Sequence, residues 1–318
     1  KKIKNANKII IMAHKNLDLD ALGSSIGMYK ILKSRKKDCY LVIDDKTHEL
    51  GVEKILKELD GCLDVITSDK IEANLSKNMK KNLLLILDTN KKDLVQSETA
   101  LKLIPNKVVI DHHGVGKNTI KDAFIIRDDN TSSTCEMITN LIENYEIELD
   151  PYFATIILSG IVLDTNNFTL KTTAETYYAA YYLSSLGASA KKVQYLLKQD
   201  ILEYTERQKL LTRLEVIDDK IAFTKATSST IYRREDLAKI ADTLLFFNNI
   251  ESSFVIGKLD QDTVGVSARS LGNYNISKIL EKLGGGGDEY NGACVFKKKS
   301  ISQVEKLIKE QIKKQEGE

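Results

Sequence analysis

"NLLLILDTN", residues 82–90, runs five consecutive Leu and Ile side chains into an aspartate, and "KVVIDHHG", residues 107–114, ends a shorter apolar run in Asp111, His112 and His113. Runs this uniformly apolar, and only as long as a strand, suit strands covered on both faces, as in parallel sheets. Outward from these two, "KIIIMAH" (8–14), "CYLVID" (39–44) and "DAFIIR" (122–127) have the same character. "DALGSSIGMYKILKSRKK" (20–37) and a stretch from about Glu49 place apolar residues at helical spacing. Strand and helix signals in alternation predict an α/β domain: a mostly parallel sheet with helices on both faces.

The pattern then changes. Residues 133–212 read as helical, with "PYFATIILSGIVLDT" (151–165) stopping at an aspartate and "AETYYAAYYLSSLGAS" (174–189) ending near Gly187. The tyrosines of the latter, at 177, 178, 181 and 182, are taken as packing residues. Beyond 212, strand-like runs with polar turns alternate with helical segments at 234–247, 274–283 and 301–314, which predicts a smaller C-terminal α+β domain. The expected division is 1–188, a helical connection at 189–212, and 213–318.

Composition limits the partners. Hydrophobic residues are 42% of the 318 and charged residues 29%, an ordinary globular balance. With 47 basic against 45 acidic residues the net charge is +2, which argues against long nucleic acid but leaves room for a short nucleotide. Four cysteines form no C-x-x-C pair and read as free thiols of a reducing compartment, so a cytoplasmic location is expected. No run approaches the roughly 20 apolar residues of a membrane span, so no membrane contact is expected of this stretch itself. The chain opens Lys-Lys rather than Met and reads as part of a longer protein.

The chemistry gathers at strand ends, where open α/β sheets bind ligands. The first strand leads into His14, Asp18 and Asp20, the run at 82–88 ends in Asp88, and the next ends in Asp111, His112 and His113. Taken singly, each has a bland explanation: a strand-ending Asp is usually a turn former, and Asp20 could simply cap a helix. Taken together, carboxylates converging without a cation would repel one another and raise their own pKa values. A divalent metal removes that conflict. Mixed carboxylate and imidazole ligands suit Mn²⁺, Fe²⁺ or Zn²⁺, and about six ligands suffice for two ions, the apparatus of phosphoester hydrolysis. "SST" (132–134) with Glu136 reads as a helix cap that could also touch a phosphate.

At this point four motifs, "HKNLDLDALGSS", "LDTN", "DHHG" and "GIVLDTNNF", resemble the successive motifs of the DHH phosphoesterase family. The resemblance implies that His14, Asp18, Asp20, Asp88, His112 and Asp164 ligate two Mn²⁺ ions, with Co²⁺ as a substitute and Asp88 bridging. It implies that Asp111 orients a histidine and that His113 faces the scissile phosphate. "VGVSARSLGNYNISKILEKLGGGG" resembles the DHH-associated C-terminal domain, in the form found in GdpP-type cyclic-di-AMP phosphodiesterases. The implied activity is hydrolysis of cyclic-di-AMP to linear 5′-pApA by a water activated between two metals. The substrate set would be Arg269 on phosphate, Ser267, Asn291, Gly285, Gly286 and Gly287 making room, and Phe168 as an adenine contact or a core residue. Asp288 stands where the family has a histidine. Proteins of this type carry N-terminal membrane-anchoring segments, so an anchored parent is expected. Two rivals remain: an exonuclease of short oligonucleotides, and a nucleotide sensor that binds without cutting. The partner expected is a small cyclic or short linear nucleotide, with homodimerisation left open.

Overall fold

In the computed structural model the apolar runs become β1 (Lys8–Met12), β2 (Asp38–Val42), β3 (Val65–Ile66), β4 (Asn82–Leu87), β5 (Asn106–Asp111) and β6 (Phe124–Arg127). The structure describes residues 2–44, 48–116, 118–227, 229–272, 274–287 and 290–316. The six strands form one sheet in the order β3-β2-β1-β4-β5-β6, and every pairing is parallel.

Side-chain parity explains why these runs lack polar residues. Ile9 and Ile11 of β1, with Leu83, Leu85 and Leu87 of β4, point into one core; Ile10, Met12, Leu84 and Ile86 point into another on the opposite face. All six residues of β4 are buried. The last strand departs from the expectation of double coverage. As the sheet edge, β6 leaves Phe124 and Ile126 58% and 42% exposed.

The helices of this first unit are α1 (Lys2–Asn5), α2 (Leu19–Ser34), α3 (Leu50–Glu58), α4 (Glu98–Leu103), α5 (Thr134–Asn144), α6 (Pro151–Asp164), α7 (Ala174–Ser185) and α8 (Ala190–Leu196). Helix α2 packs closely on α6, and α5 lies against both. Glycine makes that closeness achievable. A Cβ on Gly160 would stand 2.5 Å from Cys135 Sγ and 2.9 Å from Leu19 O and Asp20 Cα.

Two compact units divide the chain, residues 1–198 and 199–318. The stretch 189–212, read from sequence as a connection, is therefore shared: α8 packs on α6 and α3, whereas α9 (Ile201–Gln208) lies in the second unit. That unit continues with β7 (Glu215–Ile217), β8 (Ile221–Lys225), α10 (Arg234–Leu244), β9 (Ser252–Lys258), β10 (Thr263–Ser270), α11 (Ile276–Glu281), β11 (Gly286–Gly287), β12 (Asn291–Lys297) and α12 (Ile301–Glu316). Its sheet runs β11-β12-β10-β9-β8-β7, antiparallel except between β8 and β9. The core joins Phe223 and Phe254 of the sheet to Leu237 of α10 and Ile308 of α12. Among the described residues no helix is long and apolar enough to cross a membrane. All four cysteines are free.

Candidate metal centre

Strands β1 and β4 are neighbours in space but not in sequence, so the strand order reverses between them. Such a reversal opens a crevice at the carboxyl ends of the strands, and the predicted residues gather there. His14 follows β1, and its Nε2 lies 3.3 Å from Asp88 Oδ2 and 3.6 Å from Asp18 Oδ2. His112 follows β5, with Nε2 3.2 Å from Asp164 Oδ2, 3.5 Å from Asp88 Oδ1 and 4.0 Å from Asp20 Oδ2. Asp164 arrives as the last residue of α6.

Asp88 is the hinge of this arrangement. It is 2% exposed and adopts φ +57°, a left-handed conformation that costs a non-glycine residue about 1–2 kcal/mol. Its N–H donates to Ile110 O at 3.0 Å, and Thr134 Oγ1 donates to its Oδ1 at 3.0 Å. Three groups of side chains place ligand atoms within 4.8 Å of one another: His14, Asp18 and Asp88; Asp20, His112 and Asp164; and Asp88, His112 and His113. Asp88 and His112 each belong to two of them.

Asp20 does not cap its helix. Asp18 does, accepting from Ala21 N at 2.9 Å. Asp20 is fully buried, and its two carboxylate oxygens accept from Thr134 N at 2.8 Å and Cys135 N at 2.7 Å. The amino end of α5 is thus filled by a carboxylate, as its dipole favours. Ser133 is the N-cap, accepting from Glu136 N at 3.1 Å, so the "SST" segment does cap a helix. The phosphate contact considered for it meets a competing ligand, Asp20.

Asp111 is buried, and its Oδ1 is 2.8 Å from His113 Nδ1. Its other oxygen accepts from Asn90 Nδ2 at 2.6 Å, and the same amide donates to His113 O at 3.0 Å. The imidazole of His113 is left half exposed and held through one nitrogen.

The charge pattern shows what this donor set lacks. Burial raises the Asp20 carboxyl well above the usual range, with Asp88 and Asp164 adding repulsion. Burial also raises Asp164, and its bond to His112 does not cancel the effect. Burial would lower the His14 and His112 imidazoles, but neighbouring carboxylates outweigh it and lift both well above their ordinary value. Asp88 goes the other way: burial would raise it, and hydrogen bonding from His112 and His14 holds it well below. In addition, Nδ1 of His112 is buried without a hydrogen-bond partner, and its Nε2 meets only carboxylates, those of Asp164, Asp88 and Asp20. Unpartnered imidazole nitrogen beside repelling carboxylates is the chemistry a divalent ion satisfies, so the residues fit a metal.

A cavity of about 210 Å³ opens on this cluster, lined by His14, Asp18, Asp88, Thr89, Asn90, Lys91, Leu94, His113 and Asp164. Thr89, Asn90, Lys91 and Leu94 were not singled out from sequence, although "LDTN" carried two of them, and Thr134 entered only as part of the "SST" segment. A larger hollow of about 770 Å³ in the second unit has no such cluster, and its Arg207 and Arg233 are bonded to Asp236.

The residues expected to hold substrate are placed as follows. Phe168 packs against the first core and stacks on Tyr177 with ring centroids 5.6 Å apart; it does not line the cavity. Asn166, Asn167 and Phe168 take successive left-handed values of φ, +45°, +59° and +61°. Of the four tyrosines taken as packing residues, Tyr182 packs against the first core, whereas Tyr177, Tyr178 and Tyr181 are largely exposed, with Tyr177 touching Phe168. In the second unit Ser267 and Arg269 sit on β10, and Arg269 pairs in register with Asn291 of β12. Arg269 donates through Nε to Asp242 at 2.5 Å and through Nη1 to Ala268 O at 2.9 Å and Ser267 Oγ at 3.2 Å. A Cβ on Gly285 would meet Ala293 O at 2.5 Å, and one on Gly287 would meet Asn291 O at 2.1 Å. Strand packing therefore supplies its own reason for glycine at those two positions, whereas Gly286 faces open space. Asp288 lies outside the described residues.

Comparison with known proteins places this geometry in a family. Residues 8–161 match the DHH family, N-terminal domain, and residues 218–314 match the DHHA1 domain. The chain belongs to the DHH family. It is 36% identical over 314 residues to a protein of Geobacillus thermodenitrificans named cyclic-di-AMP phosphodiesterase GdpP, covering 98% of this chain and 48% of that one. The chain therefore spans about half the length of that relative. It is 26% identical over 313 residues to a Thermus thermophilus protein named bifunctional oligoribonuclease and PAP phosphatase NrnA, covering 96% of this chain and 90% of the other. Among solved structures, an exopolyphosphatase-related protein from Bacteroides fragilis shares the fold with a TM-score of 0.79 at 21% identity, covering 98% of this chain and 94% of that one.

Proposed function

We propose that this chain is the catalytic part of a Mn²⁺-dependent phosphodiesterase that hydrolyses cyclic-di-AMP to linear 5′-pApA. The reading rests on one observation above others: the buried Asp88 carboxylate is common to two groups of potential metal ligands, one completed by His14 and Asp18 and the other by His112 and His113. The 36% identity, running through both units, to a relative named for this reaction supports the choice of substrate.

His14, Asp18, Asp20, Asp88, His112 and Asp164 would hold two ions, with Co²⁺ an acceptable replacement. Bound divalent ions supply Lewis-acid charge and lower the pKa of water at the site. The chain's own residues supply orientation. Asp111 fixes the His113 ring through Nδ1, which leaves Nε2 to face the phosphate. Burial would lower the pKa of His113, but Asp111 and Asp88 outweigh it and raise the value. The second unit is proposed to hold the nucleotide through Arg269, Ser267, Asn291, Gly285, Gly286, Gly287 and Asp288. Arg269 enters that role with Nη2 bound to no described protein group.

The full-length match to a relative named as an oligoribonuclease favours a second reading, cleavage of short linear oligonucleotides. A sensor that binds without cutting is disfavoured, because binding alone has no need of six convergent metal ligands. Turnover of cyclic-di-AMP and of linear pApA, measured side by side with Mn²⁺, separates the three. Faster consumption of the cyclic form with pApA as product supports the proposal. Faster consumption of pApA makes the enzyme an oligonucleotide exonuclease, and binding without turnover makes it a sensor.

A further inference from the structure

We infer that Lys91 is a phosphate-binding residue of this site, contacting the phosphodiester of the substrate from the wall of the cavity. The inference rests on the phosphodiesterase reading above and adds a residue to it.

Lys91 is half-buried and contributes to the lining of the cavity that also exposes His14, Asp18, Asp88, His113 and Asp164. Among the described residues no other lysine or arginine lines it. Its backbone is fixed. Lys91 N donates to Thr89 Oγ1 at 3.3 Å, its carbonyl accepts from Leu94 N at 3.2 Å, and residue 91 bridges Thr119. On either side, Ile120 N donates to Asn90 O at 2.8 Å and Lys92 N to Asn118 O at 3.0 Å. The ammonium, by contrast, has no hydrogen bond or ion pair among the described residues. A lysine held firmly at the backbone, uncommitted at its charged end among the described residues and part of the cavity lining is placed for a ligand.

Charge identifies that ligand as an anion. The candidate metal ligands include four carboxylates, Asp18, Asp20, Asp88 and Asp164. Two divalent ions cancel their charge and leave the loaded site with no surplus to meet a phosphodiester. A further cation beside two metal ions would be repelled unless an anion lay between them. Lys91 supplies the missing charge when phosphate is bound.

The test compares wild type with Lys91→Ala, Lys91→Arg and, as a neighbouring control, Lys92→Ala, whose side chain is exposed and outside the cavity lining. Two quantities are measured on the whole chain with Mn²⁺: steady-state kinetics on cyclic-di-AMP, and calorimetric binding of inorganic phosphate. Loss of a charge-assisted contact made equally in ground and transition states should raise KM about 10-fold and change kcat less than about 3-fold. Phosphate binding should weaken by a similar factor, Mn²⁺ affinity should be unchanged, Lys91→Arg should recover most of the loss, and Lys92→Ala should match wild type. Unchanged KM and unchanged phosphate affinity in Lys91→Ala overturn the assignment, as does an equal loss in Lys92→Ala. If wild type does not cleave cyclic-di-AMP, the choice of substrate fails, while the phosphate titration still decides the role of Lys91.

Discussion

Gly160→Ala asks whether the candidate metal site depends on a helix contact with no room for a methyl group. In a helix interior, alanine is ordinarily more stable than glycine by about 1 kcal/mol. At position 160 the new Cβ would lie 2.5 Å from Cys135 Sγ and 2.9 Å from both Leu19 O and Asp20 Cα. Comfortable contacts lie at about 3.5–4.0 Å, so the overlap is about 1 Å or less on the backbone side and somewhat more on the sulfur. Two of the three atoms are backbone and cannot rotate away. Overpacking costs about 1–3 kcal/mol, and the backbone clash puts this case toward the upper end. After the propensity gain is subtracted, the net loss is about 1–2 kcal/mol. The strain has to move either α2, which carries Asp20, or α5, whose amides hold it. The expected result is a lower urea midpoint at unchanged slope, together with Mn²⁺ binding weakened about 10-fold or more by calorimetry. A variant more stable than wild type by about 1 kcal/mol, with Mn²⁺ affinity intact, would show that the α2–α6 contact is looser than described and refute the reasoning.

Three further substitutions probe the rest of the network. Asp88→Asn should remove measurable Mn²⁺ binding and turnover together, since one carboxylate serves two ligand groups; full activity of this variant, or of chelator-stripped wild type, would end the metal assignment. Thr134→Val deletes the hydroxyl that donates to Asp88 Oδ1 and should weaken Mn²⁺ about 10-fold, with Thr134→Ser close to wild type; equal losses in both would point to packing rather than to the hydrogen bond. Asp236 in the second unit has a lowered pKa, because bonding from Arg233 and Arg207 outweighs burial. Its stabilisation is therefore complete above the unfolded carboxyl pKa and lost as pH falls through the folded one. Asp236→Asn should destabilise by about 1–2 kcal/mol at pH 7 and by progressively less as pH falls below the ordinary carboxyl range. A deficit that does not shrink with falling pH would contradict the ion pair.

Much of this molecule is legible locally. The apolar runs at 8, 39, 82 and 107 contain few polar residues because both faces of their strands are covered, and period and length alone reveal that. Polar residues at the ends of such runs face a crevice, so His14, Asp88, Asp111 and His112 could be nominated before any contact was known. The exposed face of β6 was not legible, because an apolar run does not announce that its strand is the last in the sheet.

What the sequence by itself determined is the class of the fold and a set of candidate metal ligands, most of them following strand ends, since both depend on patterns a few residues long. The tertiary structure alone decided how those groups are held. Asp20 accepts from amides at Thr134 and Cys135, more than one hundred residues away. Thr134 bonds Asp88, Asn90 bonds Asp111, and Gly160 lets α2 approach α6. Arg269 on β10 reaches Asp242 on α10, and Lys91 stands in the cavity wall with its ammonium uncommitted among the described residues. None of these contacts leaves a local periodicity, because a hydrogen bond or a steric fit depends on distance in space, and the chain fixes that only when both cores have packed.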